Sequence, residues 1–472
     1  MKKSLNNKLL AVISAVVVFS PFSGASAETL QEAVLKVLGS HDRIQAAKAD
    51  FAAFETRVHE AFANNWTPQF ELTTHVGAEA QSSQASGANS ELYSRELDLK
   101  LTQRLWDWGQ GTALVQAAEQ TKKQYEAGLI DATQVLTLDA VVSYINLKRT
   151  EKMVQYAKDS IVNIKRQGKV EDARVALGKG YSSDVLQVKA QLAGAETRLA
   201  DSRGALLQAR NHIRTVFMRD PNEISKLKPS QPLFKILPKT LDEVVAYTHA
   251  SNLSAKQLAY TANMMSKQAD STRIATFYPV INAILEHKLK EGVGGVDEFE
   301  RETFAKVEVT FPFNLGLSGF DAIEAANKDA EAARLRYQDN LLQVTELART
   351  AWDNLATVRV KAKLLAEQAD LAEKFLELAR EERKLDKRTL LDVLNGETAL
   401  INSRSDAASA KADVQIAFYT LIQTMGALSP ELLAEDAHKR DLKLPALVAT
   451  QLDSTQEPLI SKSEVVDLFN HQ

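Results

Sequence analysis

The chain says nearly the same thing twice, and this repetition constrains its fold more than any other feature. Thr29-Leu30-Gln31-Glu32-Ala33-Val34 returns as Thr240-Leu241-Asp242-Glu243-Val244-Val245, a shift of 211 positions (29 to 240), and Pro68 returns at that offset as Pro279. Ser183-Asp184-Val185-Leu186-Gln187 returns as Leu391-Asp392-Val393-Leu394-Asn395, and Tyr144-x-Asn146-Leu147 as Trp352-x-Asn354-Leu355, both shifted by 208. A nearly constant shift over most of the chain implies duplication of one large unit, with a period far too long for a solenoid. Whatever one half builds, the other should build too.

The ends set the compartment. Lys2, Lys3 and Lys8, the apolar stretch Leu9–Phe19 and the small residues Ala25-Ser26-Ala27 have the order of a secretory signal peptide over 1–27. The apolar stretch is too short to span a bilayer as an anchor. Removing those three lysines takes the formal charge from −4 to −7, which gives no support for nucleic acid as a partner. The chain has no cysteine, so disulfides, thiolate metal sites, a catalytic thiol and an N-terminal lipidated cysteine are all excluded. No later run of about twenty apolar residues suggests a transmembrane helix, so residence in a membrane has to come from strands.

The fold class expected is mainly α with a small β part. Long stretches rich in Ala, Leu, Gln, Lys and Glu favour helices. Leu147, Val154 and Ile161 fall on one heptad row; the second copy carries three rows, Val358-Leu365-Ala372-Ala379, Ala362-Ala369-Leu376 and Leu364-Leu371-Leu378-Leu385. So many rows make an apolar sector wider than a two-stranded seam, although an ordinary long coiled coil has the same period. A helix of about sixty residues would reach about 90 Å.

Four segments with a period of two interrupt these helices. Phe70, Leu72, Thr74 and Val76 alternate with Gln69, Glu71, Thr73 and His75; Leu97, Leu99 and Leu101 alternate with Glu96, Asp98, Lys100 and Thr102. In the second half Ile281, Ala283 and Leu285 alternate with Asn282 and Glu286, with Ile284 off pattern, and Val307, Val309 and Phe311 with Lys306, Glu308 and Thr310. Such alternation marks strands with one apolar and one wet face, expected near 66–76, 93–105, 278–289 and 299–313. Trp66, Tyr93, Trp106, Trp108, Phe277, Tyr278, Phe299 and Phe313 bracket them, as aromatic girdles do at membrane interfaces. Gly77–Ser90 and Glu291–Glu298 read as loops, placed on the cell exterior. A lysine or arginine on the lipid side at mid-bilayer costs about 2–4 kcal/mol, and Glu96, Asp98 and Lys100 all fall on the inward set. Four strands cannot close a barrel, because an open edge in lipid leaves backbone groups unpaired. Copies must therefore share one, and three copies make twelve strands.

These residues resemble the TolC-like outer-membrane factors. The resemblance rests on the Thr-Leu-x-Glu-Ala opening, the doubled helix–strand–strand–helix order, Pro68, Pro279 and Pro312 at junctions, and the paired Asp-Val-Leu segments. It implies a homotrimer with a transmembrane β-barrel of twelve strands, four per chain, and a long α-helical barrel that meets an inner-membrane pump and a periplasmic adaptor. Residues 28–238 and 239–426 are then the two repeats, and 427–472, outside them, a C-terminal periplasmic belt or tail. Gly180-Tyr181-Ser182-Ser183-Asp184-Val185-Leu186 and Gly168–Arg174 look most like the branch serving type I secretion, in which an ABC exporter passes proteins such as adhesins or toxins outward. The same duct serving small-molecule efflux is the alternative, and a soluble periplasmic coiled-coil adaptor is the alternative of another class.

No catalytic motif appears, and the eight histidines form no metal pattern and read as surface or pore-facing residues. The chain is expected to be a conduit with no cofactor, not an enzyme. The family's periplasmic turn implies a gate at Arg388-Thr389-Leu390-Leu391-Asp392-Val393-Leu394-Asn395. There the arginine helps hold the channel shut and the aspartates ring its entrance. Arg388 and Asp392 match, the second aspartate is Asn395, and the family's tyrosine is Arg383, so the lock differs. Asp184 is the matching acid of the first copy and a candidate partner of Arg388; a routine i,i+4 pair between Arg388 and Asp392 is the plainer alternative.

Overall fold

The computed structural model describes residues 28–82, 89–229, 231–294, 297–312, 316–385 and 387–434. The expected signal peptide, Phe313 and residues 435–472 lie outside them. Helices α1 (Leu30–Ser40) and α2 (Asp42–Trp66) lead into strands β1 (Gln69–Ser82) and β2 (Asn89–Trp106), then α3 (Gln110–Ala176) and α4 (Ser182–Phe217). A short α5 (Pro221–Ile224) leads to the second copy: α6 (Leu241–Ser251), α7 (Leu253–Phe277), β3 (Val280–Glu291), β4 (Phe299–Thr310), α8 (Ser318–Lys384) and α9 (Leu390–Thr424). Matching helices have matching lengths: 11 residues in α1 and α6, 25 in α2 and α7, 67 in α3 and α8. At 1.5 Å per residue the longest reach about 100 Å.

The repeated Thr-Leu-x-Glu opening is a helix start. Thr29 Oγ1 accepts from the Glu32 N–H at 3.3 Å while Glu32 Oε2 accepts from the Thr29 N–H at 3.2 Å, a capping box. Thr240 caps α6 in the same way, accepting from Glu243 N–H at 3.3 Å. Each long helix is also entered through a left-handed residue at its N-cap, Gly109 (φ 97°) for α3 and Leu317 (φ 54°) for α8. Two residues further on, Gly111 and Gly319 occupy equivalent positions 208 apart. A Cβ at Gly111 would sit 2.8 Å from Asp107 Oδ2 and 2.9 Å from Asn65 Cβ, and one at Gly319 would overlap Thr276. The buried Asp107 accepts from Gly109 N–H (3.1 Å), Gly111 N–H (2.7 Å) and Arg104 (3.2 Å), and Arg104 also donates to Asn65 (2.8 Å). This cluster joins the sheet to the helices.

In the half nearer the sheet, α2 packs on α3, α3 on α7 and α7 on α8; in the far half, α4 packs on α3, α3 on α9 and α9 on α8. One edge of the molecule is therefore α8 and β4, the other α2, α4 and β1. The main core lies midway along the long helices, where both copies meet: Leu30 and Val34, Tyr144 and Leu147, Ile213 and Phe217, Val244, Leu355, Phe418 and Leu421. Tyr144 donates to Leu227 O at 2.9 Å, and burial first, then the nearby Glu151 charge, pushes its hydroxyl pKa to about 12. Ala427, Leu428, Leu432 and Leu433 belong to this core, so the chain just past Gly426 is packed rather than free. One 18-residue window in α3 is apolar enough to cross a membrane by length and composition, which the sequence reading did not mark. The core accounts for that apolarity, since Leu136, Ala140, Val141, Ile145 and Leu147 of α3 are all buried in it.

The strands form one antiparallel sheet in the order β1-β2-β3-β4, with β1 and β4 at its edges. Direct pairs fix its faces. Phe70, Leu101, Leu285 and Ala305 lie in one row, and Leu72, Leu99, His287 and Thr303 in the next. On the opposite face Asp98 pairs Lys288 (3.4 Å), Lys288 pairs Glu286 (3.0 Å), and Lys290 pairs Glu302 (2.8 Å). Two residues depart from expectation. Ile284 stands on the charged face but is buried, and His287 stands on the apolar face, where its Nδ1 and the Thr303 hydroxyl share a hydrogen bond at 2.8 Å. β1 also continues through Gly77–Ser82, read above as loop, because Gly77 to Ser82 pair with Ser94 to Asn89.

Gly111→Val should overpack the sheet–helix joint and lower stability by about 1–3 kcal/mol, seen as a lower thermal midpoint by circular dichroism. The exposed Gly204→Ala should leave the midpoint unchanged or slightly raised.

Candidate constriction at the helical tips

The ends of the two long hairpins lie together at the pole opposite the sheet. The α3–α4 turn closes through Gly178 (φ 70°), whose N–H donates to Val175 O (2.9 Å), while Lys179 N–H donates to Arg174 O (2.8 Å). The α8–α9 turn ends at Thr389, which caps α9 by accepting from Asp392 N–H at 3.2 Å.

Arg383 is the centre of this pole. Its side chain is 16% exposed, and Nη2 lies 3.2 Å from Glu171 Oε2 on α3 and 3.9 Å from Asp184 Oδ2 on α4. Nη1 donates to the Arg388 carbonyl at 3.3 Å. The Glu171 side chain is 1% exposed and also accepts from Gln167 (3.1 Å), with Arg174 Nε at 3.9 Å. One guanidinium thus ties α8 to both helices of the other copy. Its Nε is buried with no hydrogen-bond partner among the described residues.

The residues singled out from sequence are near one another but pair differently. Arg388 does not reach Asp184 or Asp392: its Nε lies 2.5 Å from Glu382 Oε2 and its guanidinium 5.3 Å from the Phe375 ring centre. Both pairings expected for it give way to contacts back along α8. Asp184 pairs with Arg383 instead. Asp392 accepts from Thr389 Oγ1 at 2.8 Å, a local cap, and Asn395 is exposed. A second inter-helix pair, Arg380 with the buried Glu397, lies one turn further from the tip.

Glu171, Glu382 and the central role of Arg383 were missed. A usable signal existed: Glu171 and Arg383 are 212 apart, close to the repeat shift, so opposite charges stood at nearly equivalent places in two units that pack together. Among the described residues no group of three or more His, Asp or Glu is arranged to hold a metal ion.

The comparisons agree with this architecture. The model of the outer membrane efflux protein family matches residues 34–217. The outer membrane efflux protein BepC of Brucella suis is 24% identical over 336 residues, 71% of this chain and 73% of its own. The cobalt-zinc-cadmium resistance protein CzcC of Cupriavidus metallidurans is 24% identical over 400 residues, 83% and 88%. The outer membrane protein VceC of Vibrio cholerae superposes with a TM-score of 0.71 at 16% identity, covering 84% of this chain and 96% of that one. The chain is an outer-membrane factor of the TolC-like family. As such it resides in the outer membrane and belongs to a family of channel and transport components.

In this outer-membrane factor Arg383 is the cation nearest the buried Glu171. Arg383→Ala should leave Glu171 buried and short of a cation, and breaking a buried pair costs about 3–5 kcal/mol. Amide hydrogen exchange through 167–186 and 380–392 should accelerate, while exchange in the Leu147–Phe418 core stays unchanged. Equal protection in the variant would make the pair dispensable.

Proposed function

We propose that copies of this chain join head to tail into a closed ring, and that the ring is the outer-membrane duct of a tripartite efflux system. The observation that carries it is a four-stranded sheet with two unpaired edges, mounted on matched 67-residue helices. In lipid both edges need partners, and β4 of one copy can supply them to β1 of the next. The contact is heterologous, so it must close by rotation or run on as a fibre. Two copies would make eight strands, a barrel that side chains fill; three make twelve and leave a lumen.

The helices support the same seam. Leu364, Leu371 and Leu378 on α8 and Leu385 at its C-cap are 58–66% exposed in the single chain, while Ala372, Leu376 and Ala379 on the neighbouring rows are packed against α9. We assign the exposed row to the next copy, against the α2–α4 edge, which carries the exposed Leu186 and Leu207. Leu371→Lys with Leu378→Lys should remove about 1.5–3 kcal/mol per buried leucine and give smaller assemblies by light scattering in detergent.

At the far pole the ring brings the Arg383 clusters of its copies around one axis. Within each copy Glu171, Asp184 and Glu382 face Arg174, Arg383 and Arg388, so the cluster is neutral in sum. Asp392 is an acid near the turn that stands outside these pairs. We take this pole as the gate, held by ion pairs that an adaptor's differential binding can exchange, with an inner-membrane pump supplying energy.

Small-molecule efflux is the cargo reading we adopt, because the relatives are an efflux protein and a metal-resistance protein. Type I protein secretion remains the second reading, carried by the Gly168–Arg174 and Gly180–Leu186 stretches. Those residues also have a local use: Gly180 has its absent Cβ 3.1 Å from Val175 N, and Glu171 holds Arg383. Deleting the gene should sensitise cells to dyes, detergents or metal ions and leave the culture-medium proteins unchanged. Loss of a large secreted protein with unaltered sensitivity would favour the second reading.

A further inference from the structure

The apolar side of the sheet differs between its two ends. At the loop end one row across the strands reads Val76, Arg95, Glu291, Phe299, and the next row toward the helices reads Thr74, Leu97, Leu289, Arg301. The rows that follow, down to Trp106, Ile281 and Val309, are mostly apolar, with His287, Thr303 and Gln103 as the polar exceptions, and Trp108 and Tyr278 pack together beside them at 5.3 Å. Those lower rows hold no lysine or arginine. The face thus carries cations at one rim only.

Both arginines are open. Arg95 is 68% exposed and lies 3.6 Å from Glu291, itself half exposed, a long pair in contact with solvent that contributes little. Arg301 is exposed, lies over the Phe299 ring at 5.3 Å, and makes no ion pair among the described residues. Tyr93, two residues from Arg95, is 81% exposed on the same face. Aromatic side chains beside arginines are what a headgroup boundary accommodates, and the penalty for arginine on a lipid face falls near zero there. A planar guanidinium binds phosphate through two parallel hydrogen bonds.

We propose that Arg95 and Arg301 form a site for lipid headgroup phosphates in the exterior leaflet, one site per copy. It rests on the sheet being part of a lipid-embedded barrel with its loops outside. The two residues are two strands and one row apart, about 12 Å between Cα atoms. At that spacing each guanidinium can take a phosphate of its own, so the ligand we assign carries two phosphates on a frame the size of a disaccharide, and a single phosphate bridged by both arginines is the outcome the test separates. The one-sided placement suits an asymmetric bilayer in which only the outer leaflet holds such a lipid.

The test uses the full-length oligomer in neutral detergent, with bisphosphorylated lipid A, its monophosphorylated form and phosphatidylglycerol added separately and retention read by native mass spectrometry. The wild type should hold the bisphosphorylated form at least about tenfold more tightly than the monophosphorylated one, and R95A/R301A should abolish that preference. Unchanged retention in the double variant overturns the site, and equal retention of phosphatidylglycerol overturns the two-phosphate assignment. Light scattering on the same sample reports the barrel separately. A detergent-independent monomer overturns the barrel, whereas an intact oligomer without the preference overturns only the lipid site.

Discussion

Everything in this molecule follows from two strand edges that one chain cannot satisfy. β1 and β4 each present a row of N–H and C=O groups, and in hydrocarbon each unpaired group costs several kcal/mol. No water, helix or loop can meet that demand at membrane depth, so the partner must be another strand. The helices obey the same geometry. Because α8 follows β4 and α2 precedes β1, the edge that is open in the sheet is also the edge that is open in the helical layer. A single rotation between copies therefore completes both, which is why an exposed leucine row on α8 and an unpaired β4 occur on the same side.

Duplication explains how so elongated a chain is stable. A lone helix about 100 Å long has little of its own to bury, but two equal ones, bridged by α7 and α9, share a core midway. There Phe217, Phe418, Tyr419 and Tyr144 are nearly fully buried. The ends are built differently. Toward the membrane the joint is polar and steric, with Asp107 receiving two backbone N–H groups where Gly111 lets α2 and α3 approach. At the other pole ion pairs are added to small apolar clusters, one around Ile164, Val188, Leu390 and Leu394 and one around Leu376, Ala379 and Val393. The largest apolar core holds the middle, and exchangeable charges supplement smaller ones at the tip.

Much of this was legible in the residues. Alternation identifies which side chains face lipid, because the period of two is local and needs no knowledge of neighbours: Phe70, Leu72, Leu99 and Leu101 fall as the pattern requires. The extent of β1 was not legible, since Gly77-Ala78-Glu79-Ala80 lacks bulky apolar residues and is held extended by its ladder with β2. The heptad rows marked α8 as packed on several sides. They could not tell Leu376, buried, from Leu378, exposed, because both rows are equally apolar and only the third dimension ranks them. Arg388 shows the same limit for charge. Several carboxylates lie within its reach, and the choice of Glu382 depends on Phe375 beneath the guanidinium and on Arg383 having already taken Asp184.

The arginine at position 383, where the resemblance implies a tyrosine, sets the physics of the tip. A phenol gives one hydrogen bond, whereas a guanidinium gives five donors in a fixed fork, and here they reach Glu171, Asp184 and the Arg388 carbonyl. Such a centre is specific in geometry because all three partners must be in place. It gives modest net stability, because burying Glu171 offsets most of the attraction. Those are the properties a reversible closure needs: one arrangement strongly preferred over its neighbours, with a small total to overcome. Arg383 Nε, buried and without a hydrogen-bond partner among the described residues, leaves one donor of that fork unused.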